Sequence, residues 1–232
     1  MDRSQSLRTI IYKDMLDLRW NGQVIVLLFC QVLIHFGLYN LDVQNVLPSF
    51  FAGFIATLLT MYVQGNLIVE ESEQGTLKLL YQMKVHPIDI FIAKSVLTFT
   101  LSTIVFVVSA IVYGYTPISI FAGLLFISPL LLMFLCLGTI LGTMSKNTID
   151  VSLYGWPVIL IYFLLEGIVS YNTDSNPGIL LALPNYHMFH GLQLIEQQEV
   201  ASAFAQHMYV PIGWALLIVM LTVRMIRRLF KH

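Results

Sequence analysis

From Ser95 to Ser145 the chain runs for 51 residues without one Asp, Glu, Lys or Arg. A soluble domain carries charge on about a quarter of its residues, so a stretch this long and neutral belongs in lipid. One membrane crossing takes about 20 mostly apolar residues. The stretch is too long for one crossing and the right length for two. Gly114-Tyr115-Thr116-Pro117 supplies the turn between them. The rest of the 232 residues agrees, with 57% hydrophobic, 11% charged and a mean hydropathy of +0.79. An all-α polytopic membrane protein is expected, with one transmembrane domain over residues 1–232.

The same reading places six spans at about 23–39, 47–69, 95–113, 118–142, 151–170 and 208–225. The first is unusually polar. Gln23, Gln31 and His35 lie inside it, and polar groups in hydrocarbon are costly unless they face a bundle interior or a cavity. Gln31 and His35 share a helical face, which makes them candidates for a pathway or subunit interface. In the second span Pro48 suits a first helical turn, and Gln64 and Asn66 are candidates to pair near its inner end. Pro129 is expected to kink the fourth span. Gly138 and Gly142 carry the G-x-x-x-G spacing that lets helices approach closely. Glu166 is the one formal charge well inside a span, and an acid there is a functional candidate by default. It is placed near the outer boundary, within reach of interfacial water. Tyr162 stands with it as a pathway or gating candidate. Ahead of the first span, Leu7, Ile10, Ile11, Asp14/Met15 and Leu18 repeat at the helical period within residues 1–22. That pattern predicts an interfacial amphipathic helix, anchored by Trp20 at headgroup level.

Orientation follows from the basic residues. With the N-terminus inside, all 12 Lys and Arg fall in inner segments, as the positive-inside rule requires. Both termini are then expected in the cytoplasm of a cell that carries the protein in its plasma membrane. No cleavable signal peptide is expected, because residues 1–22 are polar and charged.

The longest inner loop is then 70–94. Glu70, Glu71 and Glu73 lead in, Gly75 permits a sharp turn, and Thr76 can cap a short helix, Leu77 to Met83. Leu77, Leu80 and Tyr81 fall on one face of that helix. The run Glu71-x-Glu73-x-Gly75-Thr76-Leu77-x-x-Leu80, followed by Pro87 and Lys94, resembles the first cytoplasmic loop of ABC transporter type-2 permeases. In that family the loop is a coupling helix seated in a cleft of a separate ATPase subunit. The resemblance implies that Glu71, Glu73, Gly75, Thr76, Leu77, Leu80 and Tyr81 make the ATPase contact. It also implies a second permease copy, or a related permease, across a shared pathway. The outer segment 171–207 reads as a turn cluster at 172–178, a short apolar dip at 179–183, and an interfacial helix. Met188, Leu192 and Ile195 form the apolar face of that helix. Small re-entrant helices stand at this place in the same family.

Several chemistries are set aside. The neutral balance, a net charge of −1, gives no footing for nucleic acid. Cys30 and Cys136 lie in apolar runs and do not suggest a disulfide framework. His187 and His190 are spaced to share a metal, with His207 farther on, but no third ligand has a fixed spacing, so no metal is expected. Glu70-Glu71 is not followed by the arginine of a Glu-Glu-x-x-x-Arg protease signature, since position 75 is Gly. No G-x-x-x-x-G-K-[ST] loop occurs, so the chain is not itself the ATPase. ATP and Mg are expected on the partner, with no cofactor on this chain. The expected function is a non-catalytic permease subunit in contact with membrane lipid, exporting a hydrophobic or amphipathic cargo such as a peptide or drug. The alternatives are an ion-coupled secondary carrier and a small intramembrane enzyme or immunity-type protein.

Overall fold

The computed structural model describes residues 3–18, 21–40, 47–76, 87–171 and 178–229. In chain order the helices are α1 (Arg3–Leu18), α2 (Gly22–Asn40), α3 (Leu47–Phe54), a π-helical segment (Ile55–Met61) and α4 (Tyr62–Glu73). Then follow α5 (Pro87–Val112), α6 (Pro117–Met144), α7 (Thr148–Tyr171), a 3-10 turn (Gly178–Ala182), α8 (Pro184–Glu196), α9 (Val200–His207) and α10 (Tyr209–Leu229). Among the described residues five helices are long and apolar enough to cross a membrane. They are Pro48–Glu73, Ile88–Val112, Pro117–Met144, Thr148–Tyr171 and Tyr209–Arg228. α2 occupies the stretch read as the first span.

The break predicted at Gly114-Tyr115-Thr116-Pro117 is built as the sequence suggests. Gly114 takes a positive φ of 74°, where it has no Cβ to clash. Thr116 caps α6 by accepting from Ser119 N at 3.2 Å, and Pro117 fills the first turn. Pro129 sits inside α6, which runs unbroken to Met144.

The helix Pro48–Glu73 is the centre of the bundle, with 83% of its apolar window buried against 22% for α5 and for α10. It runs on through Glu73, past the expected end at Val69, so Glu70, Glu71 and Glu73 are helical rather than part of a loop. The π-helical segment is braced by hydroxyls. Thr57 donates to Gly53 O and Thr60 to Ile55 O, both at 2.8 Å, while the Thr60 and Ser102 hydroxyls bond at 2.7 Å. Such segments leave extra carbonyls to satisfy, and the threonines supply local partners.

Two further features explain why this helix lies against α6. A Cβ on Gly138 would overlap the Met61 carbonyl, and a Cβ on Gly142 would come 2.5 Å from Gly65 O. The G-x-x-x-G spacing therefore serves a close backbone approach, with Gly65 as its counterpart on α4. Between the two helices lies Gln64, fully buried and fully used. Its Nε2 donates to Ser95 Oγ at 3.1 Å and to Thr139 Oγ1 at 3.2 Å, and its Oε1 accepts from Thr98 Oγ1 at 2.9 Å. One amide thus joins α4, α5 and α6, as a buried polar group must if it is not to be a cost. Gln64 does not pair with Asn66, whose amide has no partner among the described residues.

The two flanking amphipathic elements turn inward. Ile10 of α1 packs with Ile90 and Ala93 of α5, while Tyr12, Met15 and Leu16 stay exposed. Met188, Leu192 and Ile195 of α8 do form one face, but that face is buried in the main core. The helix read as interfacial is a piece of the bundle.

Replacing Gly138 with Val should lower the thermal unfolding midpoint of the purified protein, at a cost of about 3 kcal/mol for overpacking. Gly167 on α7 has open space around it, so Gly167→Ala should leave the midpoint unchanged or raise it slightly. Equal losses in both variants would mean that α4 and α6 do not meet as described.

A charged base and a buried acid as candidate functional sites

The extension of α4 through Glu73 carries Glu71 under the bundle, where α1 and the start of α5 close over it. Glu71 is 3% exposed, and Asp14 and Lys94 are each 1% exposed. Lys94 Nζ lies 3.0 Å from Asp14 Oδ2 and 3.1 Å from Glu71 Oε1. Lys13 Nζ adds a contact of 2.6 Å to Glu71 Oε1 and a longer one of 3.9 Å to Asp17. A buried ammonium is tolerable only with such partners, and removing one partner leaves an uncompensated charge. Burial pushes the Asp14 carboxyl above the usual carboxylate range, against the pull of Lys94. At half-exposed Lys13 burial works to loosen the proton, but the hydrogen bond and charge of Glu71 win, so it is held more tightly than usual.

Neighbouring polar groups complete the base. Asn21 Nδ2 donates to Glu70 Oε1 at 2.9 Å. The Thr76 hydroxyl donates to the Glu71 carboxylate and contacts Glu71 O at 3.2 Å. Glu73 is exposed and accepts from Thr148 N at 3.1 Å, which caps the start of α7. Gly75 adopts φ of 69° at an exposed turn, a conformation that disfavours any Cβ. A cavity of about 440 Å³ opens here, lined by Lys13, Asp14, Asp17, Glu70, Glu71 and Lys94 among others.

Of the residues expected to contact an ATPase, Glu71, Glu73, Gly75 and Thr76 are therefore gathered at one end of the bundle. Leu77, Leu80 and Tyr81, with the expected helix Leu77 to Met83, lie outside the described residues. Asp14 and Lys94 were not read as partners from the sequence. The signal was present: Asp14 replaces an apolar residue on the inward face of α1, and Lys94 interrupts an apolar run at the head of α5.

The second site surrounds Glu166. The expectation that it reaches interfacial water is corrected, because Glu166 is 0% exposed. The reason is α8, whose inward face closes over α7. Asn185 Nδ2 donates to Glu166 Oε2 at 3.1 Å and to Tyr162 O at 3.2 Å, and Ser49 of α3 also bonds the Glu166 carboxyl. Tyr162 is buried one turn earlier, packed edge-on to Phe134 and Phe163. Gly53 makes room for its ring. Glu166 Oε1 and the Tyr162 hydroxyl have no partner among the described residues. Two of the four pathway candidates are thus adjacent. Gln31 is separately buried on α2, and the His35 side chain lies outside the described residues.

The histidines His187, His190 and His207 come together on α8 and α9. Among the described residues no group of three or more His, Cys, Asp or Glu is arranged to hold a metal ion. Cys30 and Cys136 are free thiols.

Lys94→Met should strand Asp14 beside Glu71 and destabilise the protein by about 3–5 kcal/mol. The triple change K94M/D14N/E71Q removes the stranded charges and should recover much of that loss. Chemical unfolding of the three proteins checks this. A single variant as stable as the parent would show that the charges are not sealed from water.

No individual curated protein matches the chain. The family model of ABC-2 family transporter proteins matches residues 32–224, which takes in the second half of α2, the charged end of α4, Lys94, Glu166 and most of α10. With five helices long and apolar enough to cross a membrane among the described residues, the chain is a multi-pass membrane protein that belongs to the ABC-2 transporter family, as an ABC-2 type permease.

Proposed function

We propose that this permease is one subunit of an ABC exporter, coupled to a separate cytoplasmic ATPase and forming its pathway as a dimer. In this reading it has six spans, α2 being the first, and both termini face the cytoplasm of a plasma membrane. ATP and Mg bind on the ATPase, and this chain binds no cofactor. The cargo is a hydrophobic or amphipathic molecule such as a peptide or drug.

The observation that carries the reading is how the described residues on either side of segment 77–86 are held. Thr76 bonds Glu71, and Lys94, two turns into α5, bonds Glu71 and Asp14, so both flanks meet in one buried cluster. Glu73 ties the same place to the head of α7. A push on that segment is delivered to four helices at once. That is what a lever needs if ATP-driven closure of a partner is to shift the bundle between two states. At the opposite end Glu166, Tyr162 and Asn185 join α7 to α8 in the core, where a change of helix packing would be felt by the pathway.

Gly75→Val tests the reading. A β-branched residue at positive φ is strained, yet the side chain points into open space, so the bundle itself should keep its thermal midpoint. Purified from its native membrane, the parent should bring down a soluble ATPase with measurable hydrolysis. The variant should bring down much less of it, or an ATPase no longer linked to export. Equal recovery and equal activity would remove the docking role.

A further inference from the structure

At the end of the bundle opposite Lys94 three imidazoles meet, and their hydrogen bonds fix their tautomers. His187 Nε2 is 2.9 Å from Leu181 O. A carbonyl only accepts, so this nitrogen carries the proton and His187 Nδ1 bears a lone pair. His207 Nδ1 lies 3.1 Å from that lone pair and must donate to it. His190 Nδ1 likewise donates to Tyr186 O at 2.9 Å. The His190 and His207 rings lie nearly parallel, 20° apart with centroids at 5.8 Å. His187 is 1% exposed.

The pair therefore ties three elements together: the 3-10 turn through Leu181, α8 through His187, and α9 through His207. One added proton can be shared across the two rings. A second cannot, because two N–H groups would then face each other at 3.1 Å. Among the described residues, no carboxylate is in contact with the pair to hold that charge. Tyr186 and His190 face it from α8 and Tyr209 from α10. α3 carries no titratable side chain and α6 only Cys136. Glu166 and Tyr162 of α7 engage Asn185, two residues along α8 and so on its other side.

We propose that His187 and His207 form a proton-responsive latch: with at most one added proton they clamp the 3-10 turn and α9 onto α8, and when both rings are protonated they let go. Burial, then the charges of His187 and His190, push His207 down to about 4, and burial lowers His187. Both folded values lie below that of an exposed imidazole, about 6.5. The open form therefore takes up protons first, and the clamp weakens as pH falls from about 6.5 toward about 4.

Trp214 reports the event, because its indole N–H donates to Ala182 O of the 3-10 turn at 2.8 Å. In full-length W20F/W156F protein held in phosphatidylcholine nanodiscs, Trp214 emission should shift reversibly to the red as pH falls from about 8 to about 4. In the same background H187Q/H207Q should abolish the shift. A flat emission profile, or a shift that survives the double change, overturns the latch. Should the double variant fail to fold, nitrogen-15 histidine spectra of the unsubstituted chain decide. Two imidazoles titrating together well below about 6.5 support the latch, and none titrating below that value rejects it.

Discussion

A lysine cut off from water has to be answered by carboxylates, and much of this molecule's base is arranged to answer Lys94. The requirement brings α1 under the bundle, because Asp14 is one of the two acids. It keeps α4 helical through Glu73, because Glu71 is the other. It also gives Thr76 and Lys94, on either side of segment 77–86, one shared anchor in Glu71. In an apolar chain such a cluster is expensive to seal and hard to break once sealed. It thus favours a base that moves as a unit over one that bends.

The middle of the bundle uses different means toward the same rigidity. Gly65, Gly138 and Gly142 bring two backbones together where side chains would hold them apart. Gln64 then pins α5 to the pair through hydroxyls. Without a hydrophobic driving force between helices in lipid, close packing and hydrogen bonds of this kind must do the joining. At the far end the contacts are smaller and polar, and α8 and α9 are short. The proposed coupling and the proposed latch thus sit at opposite ends of a stiff centre.

Much of this was legible in the sequence, and what was not has specific causes. The uncharged run and its glycine-proline break fixed α5 and α6, because hydropathy and turn chemistry are local. The glycine spacing announced a close approach, but its counterpart Gly65 carries no local mark. Lys94 was read as the opening of a span, and Glu71 as part of a loop. Their pairing depends on Asp14, 80 residues away from Lys94, and no periodicity reports that. Glu166 was placed near water because it stands a few residues from the expected outer end of its span, whereas α8, read as interfacial, closes over it. The apolar face of α8 was read correctly, but a face does not say whether lipid or protein will cover it. His187 and His190 were weighed as a metal pair, while the contact with His207 depends on the packing of α9.

The proposed coupling requires segment 77–86 to lie on the ATP side of the membrane. In a variant without Cys30 and Cys136, a cysteine placed at Gln82 can be offered a membrane-impermeant maleimide from either side. Labelling in inverted vesicles and none in intact cells is the predicted result. Labelling in intact cells would put the segment outside, away from any source of ATP, and would contradict the account.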